Sequence, residues 1–440
     1  MKAGRILVAA LIGVGLWGIF VTGAGIYSRL LYLGLLLGVS AFVWTRWVGR
    51  SLNLHRTART LRANVGELFD ERFDISNNSR MPAPWIEVEN GSKLPFASGS
   101  RLLTMLTGKQ RRNYMARTWL TKRGAFQLGP TRLTVGDPFG LFRVTKLFAS
   151  NQTLVILPML FEIKSFLLPP GLLPGGQVIR RKSPDITPHA AGVREYVHGD
   201  AMKRIHWPTS VRRGQLMVKE FEQDPQAEIW LFLDLQKNVH VEKPYQEKNP
   251  FSNESMLFGR RPKYSLPPST LEYAVSITAS LAHYFLAQRR AVGFVSAGQT
   301  YTIHPAERSE RQESKILETL AFVEANGELS LAGLVAIQSS QLPQGSSVIL
   351  VSSSARTDLL IAVDDLQKRY LRPIVILLDV ETFGGESGSE KIYQSLRERR
   401  VPALMITCGM QLSQALSELV ADLRPKDLRT WQRPVSIPST

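Results

Sequence analysis

Two stretches near the start of the chain carry almost no polar positions. ILVAALIGVGLWGIFVTGAGI, Ile6 to Ile26, is long enough for a helix to cross a bilayer. LLYLGLLLGVSAFVWTRW, Leu30 to Trp47, lies near the lower length limit. Only the neighbourhood of Ser28 and Arg29 separates them, so the pattern predicts a transmembrane helical hairpin over 1–50. A cleaved signal peptide would be followed by polar sequence, whereas a second apolar span follows here. Gly13, Gly15 and Gly18 spell a dinucleotide fingerprint, but they sit inside an apolar span with no strand before them. Gly34 and Gly38 permit close helix approach, either to the first span or between two chains.

Beyond the hairpin the period changes. Residues 51–63 read as a basic juxtamembrane segment. Over 64–166, runs such as ERFDIS, WIEVEN, RNYMARTWLT and TRLTV carry strand-forming residues, and NNS, NGS and GDPFG punctuate them. A small β-sandwich-like domain is expected there. LLPPGLLPGG marks a linker, 167–191. From 192 to 440 the chain is expected to form a second domain. AEIWLFLDL is an almost continuous apolar run ending at Asp234, the mark of a buried strand. AVGFVS, SSVILVSS, RPIVILLDV and VPALMIT follow, with helical patterns between them. Such alternation predicts an α/β fold, a doubly wound parallel sheet with helices on both faces. The polar stretch 236–269 interrupts it, as a disordered insertion or as a loop at the ligand-binding end of the sheet.

Charge then adds a direction. The 440 residues carry a net charge of +17, which favours anionic partners. Lys2 and Arg5 precede the first span; Arg46, Arg50, Arg56, Arg59 and Arg62 end or follow the second; the turn holds only Arg29. The positive-inside rule places both ends in the cytoplasm, with the chain crossing the plasma membrane twice. The arginines after Trp47 are expected to meet the anionic inner leaflet, so the lipid bilayer is the first partner. Basic residues with Tyr196 and Trp207 could also contact nucleic acid, but no nucleic-acid-binding fold is recognisable, and nucleic acid is not the expected partner. The single Cys408 excludes a disulfide framework.

Two motifs carry a family resemblance. Asp137, Pro138, Phe139, Gly140, Leu141 and Phe142 form DPFGLF. Over 192–222, Arg194, Glu195, Tyr196, Gly199, Asp200, Arg204, Ile205, Trp207, Ser210, Arg212, Leu216, Val218 and Glu220 follow the pattern R-E-Y-x-x-G-D-x-x-x-x-I-x-W, then a small residue, arginine and L-x-V-x-E. The chain thereby resembles the bacterial and archaeal family called domain of unknown function 58. The resemblance implies a membrane anchor, a β region and a domain similar to von Willebrand factor type A. It also implies company: relatives are often encoded beside MoxR-type AAA+ ATPases, which makes such an ATPase the expected protein partner. His206 stands where the family often has an acid.

Catalytic and metal signatures are sparse. Type A domains that bind Mg²⁺ carry D-x-S-x-S after the first strand. Here the segment reads DLQKN, so Asp234 remains while Gln236 and Asn238 replace the serines. Ser352 and Ser353 stand where a Thr-Asp or Ser-Asp pair would be expected, and Asp358 comes several residues later. The metal site reads as degenerate, with Asp234 its weak remnant, and no cofactor is expected. No nucleophile elbow, zincin helix or Walker loop occurs. The expectation is a non-enzymatic interaction or assembly protein. Two alternatives stand beside it: an Mg²⁺-dependent adhesion-type ligand site at Asp234, and a hydrolase centred on Asp200 and His206. Around Trp207, the charged residues Arg194, Glu195, Asp200, Arg204, Arg212 and Glu220 are expected to pair with one another, and AMKRIHW to form a short helix capped by Asp200.

Overall fold

In a computed structural model of the chain, residues 2–166, 190–197, 202, 205–221, 228–246 and 264–418 are described. The two apolar stretches form α1 (Lys2–Thr22) and α2 (Gly25–Ser51), both long and apolar enough to cross a membrane. Glycines set their contact. A Cβ on Gly15 would lie 2.8 Å from the backbone nitrogen of Leu31, and one on Gly34 would lie 2.8 Å from Ile12. Gly34 and Gly38 thus face the first helix.

No linker separates the hairpin from the β strands. Helix α2 runs straight into β1 (Leu52–Ala58), and Val48 and Leu52 are buried in the same core as Phe73, Ile86 and Val135. The strands are β2 (Arg62–Asn64), β3 (Leu68–Asn77), β4 (Ala83–Asn90), β5 (Arg101–Leu106), β6 (Arg111–Trp119), β7 (Gly124–Gln127), β8 (Thr131–Gly136), β9 (Arg143–Phe148) and β10 (Thr153–Leu157). One sheet has the order β1-β3-β6 and a second β5-β4-β8-β9. Their inward residues alternate with outward ones and share one core, as in a sandwich. A third sheet, β2-β10-β7, covers a second cluster around Phe69, Leu120 and Leu154.

Two expectations about this region need correction. The segment 51–63 is not a separate connecting piece, because it enters the sandwich as β1 and reaches into β2. Arg56 is not at a lipid surface either. Its guanidinium is buried against the Glu71 carboxylate, donating from Nε at 2.8 Å, and also bonds Asn90 and Thr131. Burial pushes the Glu71 carboxyl up, and Arg56 opposes that shift. A buried charge needs such a partner.

A second compact unit spans 160–246 and 265–440, while Tyr264 groups with the first, donating to the Thr121 carbonyl at 2.6 Å. Its main sheet contains β13 (Ile229–Leu233), β14 (Val292–Ala297), β15 (Tyr301–Glu307), β16 (Ser347–Ser352), β17 (Arg372–Leu378) and β18 (Ala403–Ile406). The order is β15-β14-β13-β16-β17-β18. Five strands are parallel, but β15 pairs antiparallel with β14, so the sheet is mixed rather than parallel throughout. Its hairpin connection is short, and a short return to a neighbouring strand forces antiparallel pairing. Counted in chain order the strands run 3-2-1-4-5-6, the doubly wound arrangement.

The remaining helices are α3 (Trp207–Arg213), α4 (Thr270–Ala287), α5 (Glu310–Phe322), α6 (Leu331–Gln338), α7 (Asp358–Lys368), α8 (Ser389–Glu398) and α9 (Leu412–Glu418). Phe232, Val295, Leu350 and Val375 pack beneath α6, α7 and α8. The alternate residues Leu231, Phe294, Ile349 and Ile376 are equally buried on the opposite face, the side of α4. Most of the expected linker, and residues 247–263 of the 236–269 stretch, lie outside the described residues.

Candidate functional site

Three places hold the residues that the sequence singles out. The first is the turn between β8 and β9. Asp137 is fully buried, and its carboxylate accepts three backbone N–H groups: Phe139 at 2.8 Å, Leu141 at 3.2 Å and Phe142 at 2.5 Å. Gly140 adopts φ +69°, a conformation that favours glycine. The DPFGLF turn is therefore wound around its own acid. Arg5 donates to the Leu141 carbonyl, and Phe42 meets Phe142 edge to face with ring centroids 5.7 Å apart.

The second place is the 192–222 motif. Strand β11 (Ala190–Glu195) pairs antiparallel with β12 (Met217–Phe221), and Tyr196 N–H donates to the Leu216 carbonyl at 2.9 Å. Helix α3 lies between them in sequence. Ser210 staples it down: its hydroxyl accepts Met217 N–H at 2.8 Å and donates to the His206 carbonyl at 3.0 Å. Ile205, Met217 and Val218 are buried below. Part of the expected AMKRIHW helix, and its Asp200 cap, lie outside the described residues. Trp207 is the first residue of α3, and His206 is its cap, accepting Thr209 N–H at its Nδ1. A histidine here does what a capping acid would do. Gly214 at φ +67° closes the helix.

Trp207 is 62% exposed, and Val211, one turn on, is 80% exposed. Arg212 and Arg213 are exposed beside them, as are Val197, Met202 and Leu216 in the same motif. Glu195 accepts from Gln215 Nε2 at 2.9 Å. Gly199, Asp200 and Arg204 lie outside the described residues, and Arg194 and Glu220 are placed only by their strands. Ser210 touches the carbonyl of His206 rather than its ring.

The third place is the C-terminal end of β13 and β16, where the strand order reverses and doubly wound sheets hold ligands. Asp234 is 2% exposed. Its Oδ2 accepts the Ser352 hydroxyl at 2.6 Å and its Oδ1 accepts Gln236 N–H at 3.1 Å. Burial pushes its carboxyl up to about 6 despite those two bonds, and the charge of Asp358 adds to the rise. Ser354 donates to Asp358 at 3.0 Å, and Ser353 to the Val239 carbonyl at 2.7 Å. His240 Nε2 donates to the Asp234 carbonyl at 2.8 Å, leaving Nδ1 to face Thr270 at 3.1 Å. Asp234 is thus enclosed by hydroxyls and backbone. A hard cation needs several oxygen ligands turned towards one point. Among the described residues no group of three or more His, Cys, Asp and Glu offers that. Ser354, Thr270 and His240 join this cluster without having been singled out as a set. The Ser352-Ser353-Ser354 run directly after an apolar strand was the available signal.

Comparison with known proteins adds a family match. Residues 192–380 match the family described as "Protein of unknown function DUF58", a span that opens at the motif and closes just after β17. The uncharacterised protein YeaD of Bacillus subtilis (strain 168) is 26% identical over 204 residues, 46% of this chain and 43% of that protein. The chain therefore spans less than half the length of this relative. Among solved structures, the CARDB domain of the PF1109 protein from Pyrococcus furiosus is 14% identical, with 24% of this chain and 91% of that domain covered at a TM-score of 0.17. An exo β-N-acetylglucosaminidase of Vibrio harveyi is 7% identical, with 81% of each chain covered and the same TM-score of 0.17. Scores this low carry no argument about fold or function.

Proposed function

We propose that the chain is a membrane-anchored, non-enzymatic assembly protein whose α3 face docks a MoxR-type AAA+ ATPase. One observation carries the reading. Trp207 and Val211 stand on one side of α3, exposed, with Arg212 and Arg213 beside them. Trp and Arg are the residue types that anchor protein interfaces. A Trp held out on a helix that is stapled from below by Ser210 costs solvation and contributes nothing to the core. The identity of the partner rests on the family resemblance. The second unit is proposed to be type A-like, which its 3-2-1-4-5-6 order and Asp234 directly after β13 support. The two apolar helices anchor the chain in the plasma membrane with both ends cytoplasmic, a reading supported by the basic residues flanking them.

The test is copurification of the full-length chain in mild detergent with ATP present. The native chain should bring down an AAA+ ATPase, and Trp207→Ala and Arg212→Glu should lose it while unfolding at the native temperature. Recovery of no AAA+ ATPase, under crosslinking as well, would count against the partnership. Protease access to either end from the outer face of intact cells would count against the orientation.

A further inference from the structure

The hairpin contacts give depth marks along the two helices. Gly18 lies against Tyr27, Gly15 against Leu31, Gly34 against Ile12 and Gly38 near Val8. Continued by one turn, this antiparallel register brings Arg5 level with Ala41 and Phe42. The DPFGLF turn is docked at that same level. Arg5 donates to the Leu141 carbonyl and lies 5.9 Å from the Phe142 ring, and Phe42 packs on the other edge of that ring. A Cβ on Gly4 would lie 3.2 Å from Leu141 and 3.5 Å from the Phe139 carbonyl oxygen.

The apolar surface of the hairpin ends at this level. Below it α2 is absorbed into the protein: Trp44 donates to the Pro82 carbonyl at 3.1 Å, and Val48 and Gly49 pack on the sandwich. Above it, Ile6 to Thr22 rises about 25 Å, close to the thickness of a hydrocarbon core. Phe139 is 57% exposed at the tip of the turn. Arg46, Trp47 and Arg50 are exposed on α2 just below the same level. An aromatic ring with arginines at the boundary of an apolar span is the composition of a headgroup layer.

We infer that the Asp137–Phe142 turn seats the first unit on the membrane, with Phe139 inserted among anionic phospholipid headgroups and Arg5, Arg46 and Arg50 paired to their phosphates. The inference rests on the membrane anchoring proposed above. Asp137 then has a reason to be wound so tightly: with its three N–H groups satisfied internally, the turn leaves no donor unpaired when lipid displaces the water around it.

The test uses the full-length chain with Cys408→Ser, reconstituted in vesicles of phosphatidylcholine and phosphatidylglycerol. An environment-sensitive fluorophore is attached at Phe139→Cys, and in separate preparations at Leu36→Cys within α2 and at Leu61→Cys beyond β1. Shallow lipid-borne quenchers should extinguish the probe at 139, deep ones the probe at 36, and only aqueous iodide the probe at 61. If 36 is quenched by lipid while 139 responds only to iodide, the seat is overturned and the anchor stands. If neither responds to lipid, the anchor fails and takes the seat with it. Pro138→Cys provides a second reporter on the same turn if Phe139→Cys does not fold.

Discussion

The DPFGLF turn and the 192–222 motif resemble each other as strings: acids, aromatics and glycines at short spacing. They are built in opposite senses. The first turns inward, with three N–H groups converging on Asp137 and Leu141 buried. The second uses its small residue, Ser210, to hold a helix down while Trp207 and Val211 are turned out. The difference teaches that conspicuous residues in a motif do not share one role. Some build the platform and others are displayed on it.

Substitutions can break this contrast. The largest effect is expected from Asp137→Ala, which strands three N–H groups that each cost about 1–3 kcal/mol when left without an acceptor. The first unit should lose at least about 3 kcal/mol in denaturant unfolding monitored in detergent. Asp234 supplies the next effect. Its folded pKa of about 6 lies above its unfolded value, so its contribution is fully present below about pH 4 and is lost as pH rises through 6. In Asp234→Asn that loss is absent. The stability of the variant relative to the native chain should therefore rise between pH 4 and 7, by up to about 3 kcal/mol. A difference that does not change with pH would show that the carboxyl is not held up by burial.

Gly140→Ala comes third. A side chain at φ +69° costs about 1–2 kcal/mol, and calorimetry of the first transition should show it. The smallest stability effect belongs to Trp207→Ala, within about 0.5 kcal/mol of the native chain, because little of that ring is buried. A loss as large as that of Asp137→Ala would erase the contrast and make Trp207 part of the platform.

Much of the architecture was legible from periodicity. The continuous apolar runs ending at Leu233, Ala297, Ser352, Leu378 and Ile406 are strands of one sheet, because a strand buried on both faces tolerates few polar side chains. Strand β15 was not legible: Tyr301–Glu307 is an edge with half-exposed, mixed side chains, and its pattern carries no strong period. Arg56 misled because charge in a sequence says nothing about burial. Its partner Glu71 arrives from a neighbouring strand through the register of β1 and β3. The same holds for Trp207, whose exposure depends on which side of a seven-residue helix Ser210 ties down. At Asp234 the acid was visible, but the Ser352 hydroxyl that holds it arrives from the neighbouring strand β16, which depends on strand order.

The central claim is that α3 is displayed for a partner, and site-specific photocrosslinking reads it most directly. A crosslinking amino acid at Val211 and another at Ile361 of α7, which is also exposed, would be compared in native membranes with ATP present. The account predicts an adduct with an AAA+ ATPase from position 211 and none from 361. No adduct from 211, or equal adducts from both positions, would contradict it.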